Sequence, residues 1–183
     1  MLKSSTGMAQ MNTKFFATAL GAALLAGLVT ATPVMAARPP VGFTIFCTNN
    51  AAHCAPDKVG QVAMSDQLIA ALVKVNASVN NSMRYRAERG PFDVWKVGGS
   101  TGDCEDYVLT KRAKLIQMGV PAGALRIATT HTRRGEPHAV LVVKTSEGDY
   151  VLDNIQKRVL LRAETGYNLR TMSSKNPLVW TAG

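Results

Sequence analysis

An unpaired thiol among acids is the first feature of this sequence that could do chemistry. There are three cysteines. Cys47 and Cys54 flank a short polar loop, Thr48-Asn49-Asn50-Ala51-Ala52-His53. Two thiols and His53 lack a fourth ligand nearby, so a disulfide closing the loop is favoured over a zinc site. In the chain-entropy picture such a bridge stabilises by roughly 2–3 kcal/mol. Cys104 is left over, in Gly102-Asp103-Cys104-Glu105-Asp106-Tyr107. A free cysteine is often a small buried hydrophobe, but this one sits among acids, glycines and a helix start. At a helix N-terminus, unpaired N–H groups and the positive end of the dipole favour thiolate. That is where a nucleophile would stand.

A nucleophilic thiol needs a base, and the base needs an orienting group. The predicted hairpin from His138 to Asp153 supplies both. With Lys144 facing Asp149 across the turn, Asp153 lies opposite Val140, and His138 is two residues away on the same face. The two become diagonal neighbours, roughly 7–8 Å apart at Cβ and close enough for a hydrogen bond. A slip of one residue would put them on opposite faces. His53 and His131 have no such partner in view. The acids pull the other way. Asp103, Glu105 and Asp106 suit a helix N-terminus, yet together they oppose ionisation of the thiol. A hard cation such as calcium would neutralise them, although their spacing matches no EF-hand.

These residues must be held by the elements around them. Residues 37–60 read as an irregular arm containing Pro39-Pro40 and the expected disulfide. Met64, Leu68, Leu72, Val75 and Val79 recur on one helical face, with Ser65 or Asp66 as the cap. Gly98-Gly99-Ser100-Thr101-Gly102 is a flexible approach to Cys104. A second helix runs from Cys104 to about Met118, stopped by Gly119 and Pro121, with Val108, Leu109, Leu115 and Ile116 inward and Lys111, Arg112 and Lys114 in water. Leu125–Thr130, His138–Val143 and Tyr150–Leu152 read as strands, the middle one buried on both faces. The tail beyond Arg162 is weakly patterned. Helices first and strands afterwards predict an α+β domain.

The N-terminal stretch has a different character. Lys3 and Lys14 precede and open an uncharged apolar run, Phe15–Val29, and Val34-Met35-Ala36 ends on small residues. This is the layout of a secretory signal peptide spanning 1–36. The run is short for a membrane span, and no later segment is long enough for one. The mature chain, 37–183, then forms one domain in the periplasm or outside the cell. The formal charge of the whole chain is +9. Its basic clusters are scattered and aromatic residues make up only 6%, so nucleic acid is not expected as a partner. Attraction to an acidic substrate stays open.

The blocks Gly102–Tyr107, Pro137-His138-Ala139-Val140-Leu141-Val142-Val143 and Tyr150-Val151-Leu152-Asp153-Asn154, in this order, resemble the bacterial transglutaminase-like cysteine peptidases. The Cys47/Cys54 pair and the segment around Tyr85 and Trp95 also look like that family. The resemblance implies a papain-like, transglutaminase-type core with Cys104 as nucleophile, His138 as general base and Asp153 as its orienting acid. It implies a periplasmic protease whose substrate is a protein or peptide, with surface adhesins as the best-known targets. It further implies calcium, held by Asp103 and Glu105 with Asp106 as a third candidate. Many members carry a Pro and a Glu between the Trp and Gly-Asp-Cys. Here Lys96-Val97-Gly98-Gly99-Ser100-Thr101 follows Trp95, so that element is shortened. A transglutaminase, a cell-wall amidase and a non-catalytic periplasmic binding module are the competing functions on the same fold.

Overall fold

The computed structural model describes residues 35–88, 90 and 92–183. The predicted signal peptide lies outside them, apart from Met35 and Ala36. The elements in order are β1 (Ala36–Ala37), α1 (Val41–Asn49), α2 (Asp66–Ser82), β2 (Arg84–Tyr85), β3 (Thr101–Gly102), α3 (Cys104–Gln117), β4 (Leu125–His131), β5 (Pro137–Thr145), β6 (Gly148–Leu152), β7 (Leu160–Leu161), α4 (Arg162–Thr165), β8 (Thr171–Ser173) and β9 (Trp180–Ala182). Seven strands form one antiparallel sheet in the order β1-β9-β8-β4-β5-β6-β7. β2 and β3 make a separate parallel pair. The α+β expectation holds.

β5 is central, and its two faces belong to two apolar clusters. Ala139, Leu141 and Val143 point into the main core with Leu109 and Leu115 of α3 and Leu72, Val75 and Val79 of α2. Val140 and Val142 face the second cluster with Ala128, Val151 and Leu169. This is why β5 reads as a continuous apolar run rather than an alternating one. Truncating Leu141, which is fully buried, to Ala would cost about 2–5 kcal/mol. The β5–β6 register pairs Lys144 with Asp149 and Leu141 with Leu152, which is the expected one. Ser65 caps α2, its side chain accepting from the Leu68 N–H at 3.1 Å. Gly119, at φ 89°, takes the left-handed position just after α3.

Three expectations need correction. The arm at 37–60 contains α1, whose Phe43, Phe46 and Cys47 are buried, with Phe43 lying against Trp95 and Trp180 at ring distances of 5.3 and 5.7 Å. Pro40 precedes the first turn, where its missing N–H is no loss. Thr101–Gly102 is not a loose approach but pairs with Arg84–Tyr85. Finally, Lys111 and Arg112 are buried, while Lys114 alone of the three is exposed. Arg112 is tolerated because it donates to the carbonyls of Leu125 (3.2 Å), His53 (2.7 Å) and Ala122 (3.4 Å), tying α3 to the disulfide loop and the start of β4. The disulfide itself joins Cys47 and Cys54.

Candidate active site

His138 and Asp153 meet as their register requires. Nε2 of His138 lies 2.9 Å from Oδ1 of Asp153, and both side chains are buried. That leaves Nδ1 of the imidazole uncommitted to Asp153. The carboxylate is held at every point. Oδ1 also accepts from the Ile155 N–H at 2.9 Å, and Oδ2 accepts from the Tyr167 hydroxyl at 2.6 Å. The Asp153 carbonyl accepts from Asn80 on α2 at 2.8 Å, and Asn76 one turn earlier holds the Lys157 carbonyl at 3.0 Å. Burial alone would push the Asp153 carboxyl up. The hydrogen bond and charge of His138, with the bonds from Tyr167 and Ile155, outweigh it and hold the group below its ordinary value. Burial and the Asp153 charge push the Tyr167 phenol up, so it stays a donor.

Cys104 is the first residue of α3 and is 8% exposed. Its thiol donates to Glu105 Oε2 at 2.9 Å, not to His138. Cys104 and Ala139, the residue after His138 on β5, belong to the same buried core cluster. Burial, then the charge and hydrogen bond of Glu105, then Asp103, push the thiol up; the Ala139 N–H opposes them. The acids and burial therefore outweigh the helix dipole in this arrangement. Asp103 precedes the helix without capping it through its side chain. Its Oδ1 is buried without a hydrogen-bond partner, and burial with the charges of Glu105 and Asp106 pushes the carboxyl up to about 7.

Asp106 behaves differently from its neighbours. Oδ1 accepts from the Lys96 N–H at 2.9 Å, and Oδ2 pairs with Lys96 Nζ at 2.8 Å. A Cβ at Gly102 would collide with this carboxylate, which explains the glycine in Gly-Asp-Cys. Lys96, the residue after Trp95, thus meets Asp106 with both its backbone N–H and its ammonium. Calcium wants six to eight oxygens. Asp103, with its orphaned oxygen, and Glu105 offer donors of the right kind, whereas Asp106 is already engaged. Among the described residues, no group of three or more His, Cys, Asp and Glu is arranged to hold a metal ion. His53 and His131 lie elsewhere; the His53 ring packs against Phe46 at 5.8 Å.

Sequence reasoning missed Tyr167, Asn80 and Lys96. Asn76 and Asn80 do recur one turn apart on the buried side of α2, a signal that polar residues there hold something. Tyr167 had no local signal.

A thiol at a helix start, set against an antiparallel sheet that carries a His–Asp pair, defines a mixed α+β fold of the transglutaminase-like kind. The family model for bacterial transglutaminase-like cysteine proteinases matches residues 34–182, and the chain belongs to that family of cysteine-type peptidases. Solved structures of Legionella pneumophila LapG are similar to it. The calcium-bound form is 24% identical with a TM-score of 0.53, over 57% of this chain and 64% of that one. A second LapG structure is 26% identical at TM-score 0.52, over 57% and 63%. The EGTA-treated form is 26% identical at TM-score 0.51, over 56% and 61%. The match thus spans less than two thirds of LapG's own length. No curated protein matches the sequence. Among the described residues, no helix is long and apolar enough to cross a membrane.

Proposed function

We propose that this chain is a secreted or periplasmic peptidase that hydrolyses peptide bonds with Cys104, His138 and Asp153. The observation that carries this reading is the braced His138–Asp153 pair, one residue along β5 from Ala139, which packs in the same buried cluster as Cys104. His138 takes the thiol proton, and the sulfur attacks the carbonyl carbon. The oxyanion is met by N–H groups at the start of α3, that of Cys104 first. His138 then protonates the leaving amine, giving a thioester. Water, deprotonated by His138, attacks the thioester, releasing the acid and restoring the thiol. Asp153 fixes the ring throughout, and Tyr167 and Asn80 fix Asp153. An amine in place of water would make the same site a transglutaminase, and a cell-wall peptide in place of a protein would make it an amidase.

Asp103 and Glu105 are the residues that would hold calcium, an ion that one solved LapG structure carries. Bound there, the ion would supply positive charge that offsets the carboxylates beside the thiol. The protein substrate proposed is a surface adhesin, as the family resemblance implies; incubation with candidate surface proteins and with purified peptidoglycan separates it from a cell-wall substrate. Cys104→Ala is expected to abolish turnover with little change in melting temperature, and His138→Ala to abolish it while lowering the melting temperature, because it strands the buried Asp153 carboxylate. Near-full turnover in either variant overturns the mechanism. One observation favours a non-catalytic binding module: the thiol is bonded to Glu105 rather than to His138. Iodoacetamide labelling across a pH series decides. A titration near the free-thiol value of about 8.5 supports the binding module.

A further inference from the structure

The two loops that flank the His138–Asp153 pair carry arginines that the reaction does not use. Arg133 and Arg134 lie in the turn just before His138, and Arg158 lies in the loop just after Asp153. All three are exposed and line one cleft of about 500 Å³, whose wall includes Asp153 and Tyr167. That volume is in the range of ordinary ligand clefts.

The cleft is braced on both sides. In the first loop the Thr132 hydroxyl accepts from the Arg134 and Glu136 N–H groups at 3.2 and 3.3 Å, and Gly135, at φ 81°, closes the turn with a bond to the Thr132 carbonyl at 2.9 Å. In the second, Asn76 and Asn80 hold the Lys157 and Asp153 carbonyls. The guanidinium groups therefore stand on fixed backbone.

Their charge is also available. The ion pairs among the described residues are Lys96–Asp106, His138–Asp153 and Lys144–Asp149, so none of the three arginines is paired with a carboxylate. Two acids face the same cleft. Asp153 is held by His138, Ile155 and Tyr167 and keeps its charge, so it and Glu136 are the two carboxylates facing the cleft. Three cations against two anions leave the cleft net positive beside the His138–Asp153 pair, which favours a negatively charged occupant.

We propose that this cleft is a substrate subsite that binds an acidic stretch of the polypeptide near the bond to be cleaved, with Arg133, Arg134 and Arg158 as its specificity-determining residues. The inference rests on the peptidase reading above and names its substrate class. Exposed pairs are individually weak and screened by salt, so selectivity comes from the three acting together.

The test uses the full chain with Cys104→Ala, so that nothing is cleaved. Its affinity is measured by fluorescence anisotropy for a labelled peptide of alternating Glu and Gly and for its Gln-Gly counterpart. The Glu peptide is expected to bind about tenfold tighter at low salt, each Arg→Gln change to lose about two- to fivefold, and the triple change to remove the preference. Equal affinity for the two peptides, or a preference that survives the triple change, overturns the subsite. In the protein with Cys104 restored, the triple change should lower kcat/KM on acidic peptides and leave neutral ones unaffected; equal losses on both overturn it too. Binding needs no turnover. An acidic preference without any cleavage would therefore sink the peptidase reading alone, and cleavage without acidic preference would sink the subsite alone.

Discussion

The two halves of the candidate site are built to different standards. On the hairpin side, both carboxylate oxygens of Asp153 have partners, and helix α2 reaches across to hold its carbonyl. On the helix side, Asp103 keeps a buried oxygen without a partner, and the thiol is bonded to a carboxylate that opposes its ionisation. The His138–Asp153 pair is thus preorganised by the fold alone. The Cys104 thiol sits beside Asp103, Glu105 and Asp106, and Lys96 pairs with Asp106 rather than with Asp103 or Glu105. The difference teaches that packing can satisfy one half of a candidate site completely while leaving carboxylate charge uncompensated in the other.

The largest effect is expected from breaking the finished half. Asp153→Asn keeps the shape but loses the charge that steadies His138, and turnover should fall by about 10²- to 10⁴-fold. Steady-state kinetics on a fluorogenic peptide, with circular dichroism to verify the fold, measure this. A loss under tenfold would mean that Asp153 does not orient the base. The unfinished half is probed by calcium. At a free concentration about a hundredfold above its Kd, binding to the native chain alone would add about 2.7 kcal/mol, raising the melting temperature, and EGTA should reverse it. The rise should vanish in Asp103→Asn and Glu105→Gln. If chelation leaves the wild-type melting temperature unmoved, the metal proposal fails.

Lys96→Met should destabilise by about 2 kcal/mol in urea unfolding, because it strands the buried Asp106 carboxylate; a fully buried pair would lose about 3–5, but Lys96 is half-exposed. No change would show that the backbone N–H of residue 96 suffices. The smallest effect belongs to Lys111, whose Nζ is buried with no hydrogen-bond partner and which burial pushes down to about 7. Lys111→Met should stabilise by about 1–2 kcal/mol. The unfolded chain holds the Lys111 proton up to about its ordinary value of 10.5, so wild-type stability gains from this group as pH rises from about 7. The advantage of the Met variant should therefore be greatest below about pH 7 and shrink above it. An advantage that grows with pH would contradict the assignment.

Much of this arrangement was legible beforehand. The α2 face, the Cys104 helix with its Gly119 stop, and the β5–β6 hairpin all follow from local periodicity and turn chemistry, which act over a few residues. The His138–Asp153 pair was legible for the same reason, since a tight hairpin fixes register across its own length. α1 was hidden because Pro39-Pro40 and the polar disulfide loop mask a short helix whose apolar face matters only once Trp95 and Trp180 lie against it. Lys111 and Arg112 looked like a wet face because charge normally means exposure, and only the distant carbonyls that receive Arg112 make its burial tolerable.

By itself, then, the sequence was enough to single out the Cys104 helix start, the His138–Asp153 pair and the Cys47–Cys54 disulfide, because each is set by near neighbours along the chain. The tertiary structure decided what surrounds them. Tyr167 reaches Asp153 from the unpatterned tail, Asn80 reaches it from α2, and Lys96 rather than an outside ion takes Asp106. Contacts of that range depend on which faces pack together, and no local pattern of residues encodes them.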